Sequence, residues 1–349
     1  MKIVLVFDGR LPAADYGDAE RVLLWHCRRL REMGHEPVVV AEKGSVCSFA
    51  PVHTLESKKP LLAQLPDGVD VVHFFYRPVP KMLAGLEKPY LITFFDNSTK
   101  AEFFDPNTVF LSANHAARHG GSVFVYPGLD FRDYGAVLLD FPRKYFHFLG
   151  DASWRGRNVR GSVGLATAVG EHLHVIGGSR INFKKSLRIT LSPNARFHGV
   201  LNRDGRNMML NGSKGLLFPV LWHEPFGLPV IESLYFGCPV FGTPFGALPE
   251  LLCHQAVPDE RKWTGQVDAC FSEFGCLSVK RSELVEALRN ASAFSPERCS
   301  AYAQDCFSAE RMTHEYLRLY ERVLGGKTLH EHPPTVAEKP ENKLLLMET

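Results

Sequence analysis

Residues 221–232 read Leu221-Trp222-His223-Glu224-Pro225-Phe226-Gly227-Leu228-Pro229-Val230-Ile231-Glu232, with seven residues between the carboxylates of Glu224 and Glu232. The Pro-Phe-Gly-Leu-Pro run between them cannot lie mid-helix, because proline lacks an N–H and clashes with the preceding turn. Glu224 therefore falls on a loop, and Glu232 on a helix that begins near Pro229, where a first-turn proline costs no hydrogen bond. The N–H groups of Phe226, Gly227 and Leu228 then lie at a helix N-terminus, which suits an anion. One acid beside that site and a second a helical turn further on fit a phosphorylated sugar. The N–H groups take phosphate and the carboxylates take hydroxyls.

Outward from this stretch the chain alternates apolar strands with helices. Strands are expected at residues 2–7, 37–41, 70–75, 90–95 and 109–112. A helix at 17–33 carries Val22, Leu23, Cys27, Leu30 and Met33 at helical spacing and stops at Gly34. The pattern restarts after Pro142, with strands at 145–149, 172–176, 196–200 and 215–219. Such alternation implies parallel sheets with right-handed crossovers.

Composition narrows the class. The 349 residues are enough for two domains, and 45% hydrophobic with 22% charged residues is ordinary for a globular chain. No run approaches the roughly twenty apolar residues of a membrane span, and the N-terminus enters a strand directly, unlike a signal peptide. Net charge is +2, divided as 15 basic and 17 acidic residues up to residue 140 and 25 and 21 after it. Neither half carries a nucleic-acid signature. The eight cysteines are scattered without a Cys-x-x-Cys pair, so free thiols are expected, with no disulfide framework and no zinc site.

The Glu224–Glu232 stretch, continued by Phe236-Gly237-Cys238-Pro239-Val240 and Gly242-Thr243-Pro244-Phe245-Gly246-Ala247-Leu248-Pro249-Glu250, resembles the retaining glycosyltransferases of family 4 (group 1). The resemblance runs over residues 2–324 and is strongest from 196 to 250. It implies the GT-B fold: α/β, with two doubly wound Rossmann-like domains facing each other across a cleft. Residues 1–140 would form the acceptor-side domain and 141–307 the nucleotide-sugar domain. A helix at 308–324 would cross back to the first domain. The Pro- and charge-rich residues 325–349 read as a mobile tail.

Within the resemblance, Glu232 would accept from ribose hydroxyls and Glu224 would bind hydroxyls of the donor sugar. The N–H groups of Phe226, Gly227 and Leu228, with Arg155 and Arg157, would stabilise charge on the departing diphosphate. Gly17, in Asp15-Tyr16-Gly17, is similar to the family's glycine loop before the first helix. Gly199 and Val200, in Phe197-His198-Gly199-Val200, would approach the base. Asp96 follows Thr93-Phe94-Phe95, where the family has histidine at the position of Phe95. Glu224, Asp96 and Arg157 are the candidate catalytic groups. Two positions depart from the pattern: Phe95, and Asp151, which stands where an arginine is usual. His73 and His115 are considered as substitutes for the missing histidine, although a strand histidine is more often structural. Arg180, beside Gly177-Gly178, is a ligand candidate on equal terms with a structural reading.

These expectations amount to a retaining, metal-independent transferase without a cofactor. It would take a nucleotide-sugar donor and a glycan, glycolipid or other hydroxyl acceptor, in surface polysaccharide or lipopolysaccharide synthesis. It would be cytoplasmic, with peripheral contact at the inner membrane face and no nucleic-acid partner. Alternatives on the same fold are a catalytically impaired nucleotide-sugar binder and a sugar-nucleotide epimerase. A dinucleotide oxidoreductase is disfavoured, because no Gly-x-Gly-x-x-Gly follows the first strand.

Overall fold

The computed structural model describes residues 1–12, 17–56, 58–182, 188–190, 192–253, 267–339 and 344–348. They form two compact units, Met1–Asp130 with Phe307–Glu341, and Phe131–Cys306 with Asn342–Thr349.

The first unit opens with β1 (Lys2–Val6), α1 (Asp18–Glu32), β2 (Glu36–Ala41), β3 (Val52–Thr54) and β4 (Val71–Phe74). It continues with α2 (Pro80–Leu83), β5 (Tyr90–Thr93), β6 (Glu102–Phe103), β7 (Thr108–Val109) and α3 (Ala113–Arg118). Six strands pair in the order β3-β2-β1-β4-β5-β7, and every pairing is parallel. Strands covered on both faces read as unbroken apolar runs rather than alternating ones. Ile3, Val4, Leu5 and Val6 are accordingly all fully buried.

The second unit contains β8 (Tyr145–Leu149), α4 (Val159–Ala168), β9 (Leu173–Ile176), β10 (Ile181–Asn182), β11 (Arg188–Ile189) and β12 (Ala195–Phe197). After them come α5 (Arg203–Asn211), β13 (Ser213–Phe218), α6 (Leu228–Tyr235), β14 (Val240–Gly242) and α7 (Leu248–Leu252). The unit closes with β15 (Ala269–Ser272), β16 (Gly275–Ser278), α8 (Arg281–Arg289) and α9 (Pro296–Cys306). The sheet order is β12-β9-β8-β13-β14-β16-β15, parallel except for the β15–β16 edge pair. Both sheets thus place their first strand centrally and reverse direction beside it. That is the doubly wound order, which gathers ligands at the carboxyl ends of the strands.

The chain returns to the first unit through α10 (Ala309–Leu324). This helix packs on α1 through a buried polar network. His26 meets Thr313 at 2.9 Å and Tyr320 at 2.7 Å, and Tyr320 also meets His73 at 2.8 Å. Asp130, fully buried, is held by Arg28 at 2.8 Å.

Three expectations are corrected. The tail is packed, not mobile, over its described residues. β17 (Thr335–Val336) pairs antiparallel with β6, Leu329 and His330 are buried, and Leu345 N–H donates to Leu221 O at 2.8 Å. Scattered apolar residues among the prolines supply that packing. Residues 131–140, assigned above to the first domain, belong to the second unit, where Phe131 stacks on Tyr235 with ring centroids 4.5 Å apart. Cys253 and Cys270 are paired as a disulfide, with Cα atoms 6.6 Å apart. The pair joins the end of α7 to β15, a proximity made by the fold that no local spacing announces.

Candidate active site

The 221–232 stretch folds as its residues dictate. Gly227 adopts φ +104°, which an L side chain rarely takes, and α6 starts at Leu228 with Pro229 in its first turn. Its N-cap residue, Gly227, makes no side-chain capping hydrogen bond. Glu224 lies on the loop, in a bridge with Gly246, and its carbonyl accepts from Ala247 N–H at 2.8 Å.

Both carboxylates are buried, Glu224 being 4% and Glu232 1% exposed. A buried charge must be paired, and each acid has its own set of partners. Arg157 donates to Glu224 Oε2 at 2.5 Å and Trp222 Nε1–H donates to the same oxygen at 3.0 Å. The Arg157 guanidinium also lies over Trp154, Phe218 and Trp222, with 5.2–5.8 Å to the ring centroids. Aromatic faces attract a cation and fix its plane. Glu232 Oε1 accepts from Tyr134 at 2.7 Å and lies 3.3 Å from Arg206 Nη1. Burial pushes the Arg206 guanidinium below its ordinary value, while Glu232 pulls it back up.

The helix bearing Glu232 is anchored from beneath. His147, fully buried in β8, meets Ser213 Oγ at 2.7 Å and Ser233 Oγ at 2.9 Å, and Ser233 donates back to Pro229 O at 2.6 Å. Burial, helped by Arg143, lowers the His147 imidazole to about 3, so it is neutral at ordinary pH.

Glycines line the neighbouring strand ends. Gly177 has φ +106°, and a Cβ there would run into Gly150 O. Gly177 N–H donates to Gly199 O at 2.7 Å and Gly199 N–H donates to Gly178 O at 3.1 Å. Gly199 has φ +68° with open space where a Cβ would point, and Val200 is 65% exposed. Arg155 is exposed, in the 3₁₀ turn that also holds Arg157. Asp151 accepts from Ser153 N–H at 2.8 Å, which gives the aspartate a local turn-forming role. Arg180 is structural, donating to the carbonyls of Thr190 and Ser192 at 3.0 Å and of Ala195 at 2.5 Å.

In the first unit, Gly17 is the N-cap of α1; the Asp15–Tyr16 part of its turn lies outside the described residues. Asp96 is exposed after β5. Its carbonyl accepts from His115 Nε2 at 2.9 Å, and Arg118 donates to Asn97 Oδ1 at 2.9 Å. His115 thus holds this loop, and His73 sits between Tyr320 and Thr93. Both are structural groups. Of the first-domain aromatics, Phe74, Phe75, Phe94 and Phe104 are core, whereas Phe103 is 74% exposed.

The structure therefore brings Arg157, Glu224, Glu232 and the α6 N-terminus together within one unit. Trp222, Tyr134 and Arg206 complete the set and were not anticipated. Only Trp222 had a sequence signal, its place inside the decisive stretch.

Residues 163–270 match the family model of the glycosyl transferases group 1. The match lies within the second unit and covers 108 of the 349 residues. The structural relatives agree and extend the GT-B fold over both units. The chain is similar to AviGT4, a glycosyltransferase involved in avilamycin A biosynthesis (TM-score 0.69, 19% identity, covering 94% of this chain and 99% of that one). It is similar also to sucrose-phosphate synthase from Thermosynechococcus elongatus (0.68, 15%, 93% and 100%). A third relative is Anabaena HepE in complex with UDP-glucose (0.61, 14%, 90% and 99%). A search of curated protein sequences gives no match. No helix among the described residues is long and apolar enough to cross a membrane.

Proposed function

We propose that the protein transfers a sugar from a nucleoside-diphosphate donor to a hydroxyl acceptor with retention at the anomeric carbon. The observation that carries this reading is the Arg157–Glu224 pair beside the N-terminus of α6. In it the diphosphate lies against the N–H groups of Phe226, Gly227 and Leu228, with Arg157 and Arg155 as counter-charges. These donors stabilise charge as it develops on the leaving group. Glu224 binds donor-sugar hydroxyls, Glu232 the ribose, and Gly199 and Val200 border the base. Gly17 and Asp96 stay candidates from the family resemblance. The leaving diphosphate takes the acceptor's proton, so neither glutamate is a nucleophile, and the protein's own cations stand where other transferases use a metal.

That HepE was solved with UDP-glucose makes UDP-sugars the first donors to try. A glycan or glycolipid acceptor, in polysaccharide or lipopolysaccharide synthesis on the cytoplasmic side of a membrane, completes the reading. A second reading, a nucleotide-sugar binder without turnover, is favoured by Phe95 at the family's histidine position. The test is nucleoside-diphosphate release from UDP-, GDP- and ADP-sugars with added glycan acceptors, and proton NMR of the product's anomeric centre. Release with retained configuration supports the transferase. Inversion removes the retaining mechanism, and binding without release from any donor supports the second reading.

A further inference from the structure

The second unit holds an open pocket of about 320 Å³ at the amino ends of its sheet strands, whereas Arg157 and Glu224 follow the carboxyl ends of β8 and β13. Its walls come from the amino ends of the parallel strands: Arg143 and Phe146 at β8, Lys214 at β13, and Gly237 and Pro239 in the turn into β14. Phe294, between α8 and α9, adds an aromatic wall. The volume is at the lower end of what small-molecule sites use.

The lining carries three cations, Arg143, Lys214 and Arg289, against the single carboxylate of Glu171. Lys214 meets Glu171 at 2.5 Å, which leaves Arg143, whose charge also reaches the exposed Glu297, and Arg289 as the lining cations without an acid in the lining. Arg143 is fixed by donating to Ser213 O at 2.7 Å and Phe236 O at 2.9 Å; these carbonyls orient the guanidinium without neutralising it. Among the described residues Arg289 reaches only Glu286, at 3.8 Å and with both side chains over 60% exposed, a pair of little strength.

We propose that this cavity binds a small phosphate monoester with an apolar or aromatic substituent. A dianion suits the two lining cations Arg143 and Arg289, and a rigid guanidinium is suited to phosphate oxygens. A monocarboxylate would leave one charge unmatched. The substituent lies against Phe146, Pro239 and Phe294. The site is separate from the donor site and does not depend on it.

The test is titration calorimetry of the full chain with phenyl phosphate, using inorganic phosphate and benzoate as comparison probes. Phenyl phosphate is expected to bind one site about tenfold or more tighter than either. Arg289→Ser removes an exposed charge and Ala291→Trp fills the cavity. Each is expected to weaken phenyl phosphate about fivefold or more, with melting temperatures confirming that both variants fold. Absence of binding overturns the proposal. So does binding that neither variant weakens, which places the probe elsewhere. Equal affinity for inorganic phosphate or for benzoate also overturns it.

Discussion

Arg157 donates to Glu224 over 2.5 Å in a setting where the arginine side chain is 13% exposed and the glutamate 5%. This pair fastens the 3₁₀ turn after β8 to the loop before α6, so the two segments expected to grip a diphosphate are set by one contact. Removing one member of a buried pair leaves the other charge uncompensated. Arg157→Met is therefore expected to lower unfolding free energy by about 3–5 kcal/mol. Urea denaturation checks this, and an unchanged midpoint would show that Glu224 does not need Arg157.

Glu232 is the second buried acid, and Tyr134 and Arg206 divide the work of holding it. Tyr134→Phe removes one hydrogen bond to a charged group, an expected cost of about 1.5–3 kcal/mol. The Tyr134→Phe and Arg206→Met changes share a partner, so they should not add. A double-mutant cycle should give a coupling of about 0.5–3 kcal/mol.

Gly246 has φ +71°, and a Cβ there would run into the backbone N and O of Glu224. Gly170 has the same φ, +71°, with nothing near its Cβ position. Gly170→Ala therefore reports the backbone cost alone, more than about 1 kcal/mol. Gly246→Ala is expected to cost more than that and to weaken nucleotide binding as well, measured by denaturation and titration of both variants.

Acid should destabilise the protein through its buried histidines. Burial lowers His26 and His147 to about 3, and His73 and His115 well below their ordinary value. Their folded values lie below the unfolded value of about 6.5, so the unfolded chain binds more protons as pH falls below that point. Stability is full above about pH 6.5 and is lost progressively toward pH 3, each histidine contributing about 1.4 kcal/mol per pH unit in that window. Denaturation at a series of pH values checks the sign. A flat profile would mean that these imidazoles are already charged in the fold.

Truncation after Gly326 removes Leu329 and Val336, which are 2% and 8% exposed. Full burial of such side chains is worth about 1.5–3 kcal/mol each, so the truncated chain should melt clearly lower. An unchanged melting temperature would restore the mobile tail.

The fold was legible because its strands are buried on both faces. The run from Lys2 to Val6 is too apolar and too short to be anything but a parallel strand between two layers of helices. The decisive loop was legible because Pro225, Gly227 and Pro229 restrict the backbone by themselves. The partners of Glu224 and Glu232 were less so. Arg157 could be placed from the family pattern, but Arg206 lies on an amphipathic helix and Tyr134 in an irregular segment, where nothing marks a side chain as buried. The Cys253–Cys270 pair and the β6–β17 pairing are likewise products of tertiary proximity between short segments. Asp151 shows the reverse case, in which a charge that looked wrong for a phosphate site has a local reason in the Ser153 N–H it accepts.

The most direct test is titration calorimetry of UDP, GDP and ADP against the wild type and Glu232→Gln, with melting curves confirming that the variant folds. The account predicts that one nucleoside diphosphate binds the wild type at a single site and that the variant binds it about tenfold or more weakly. Absence of binding by all three, or equal binding by a folded variant, would contradict a donor site at the α6 N-terminus.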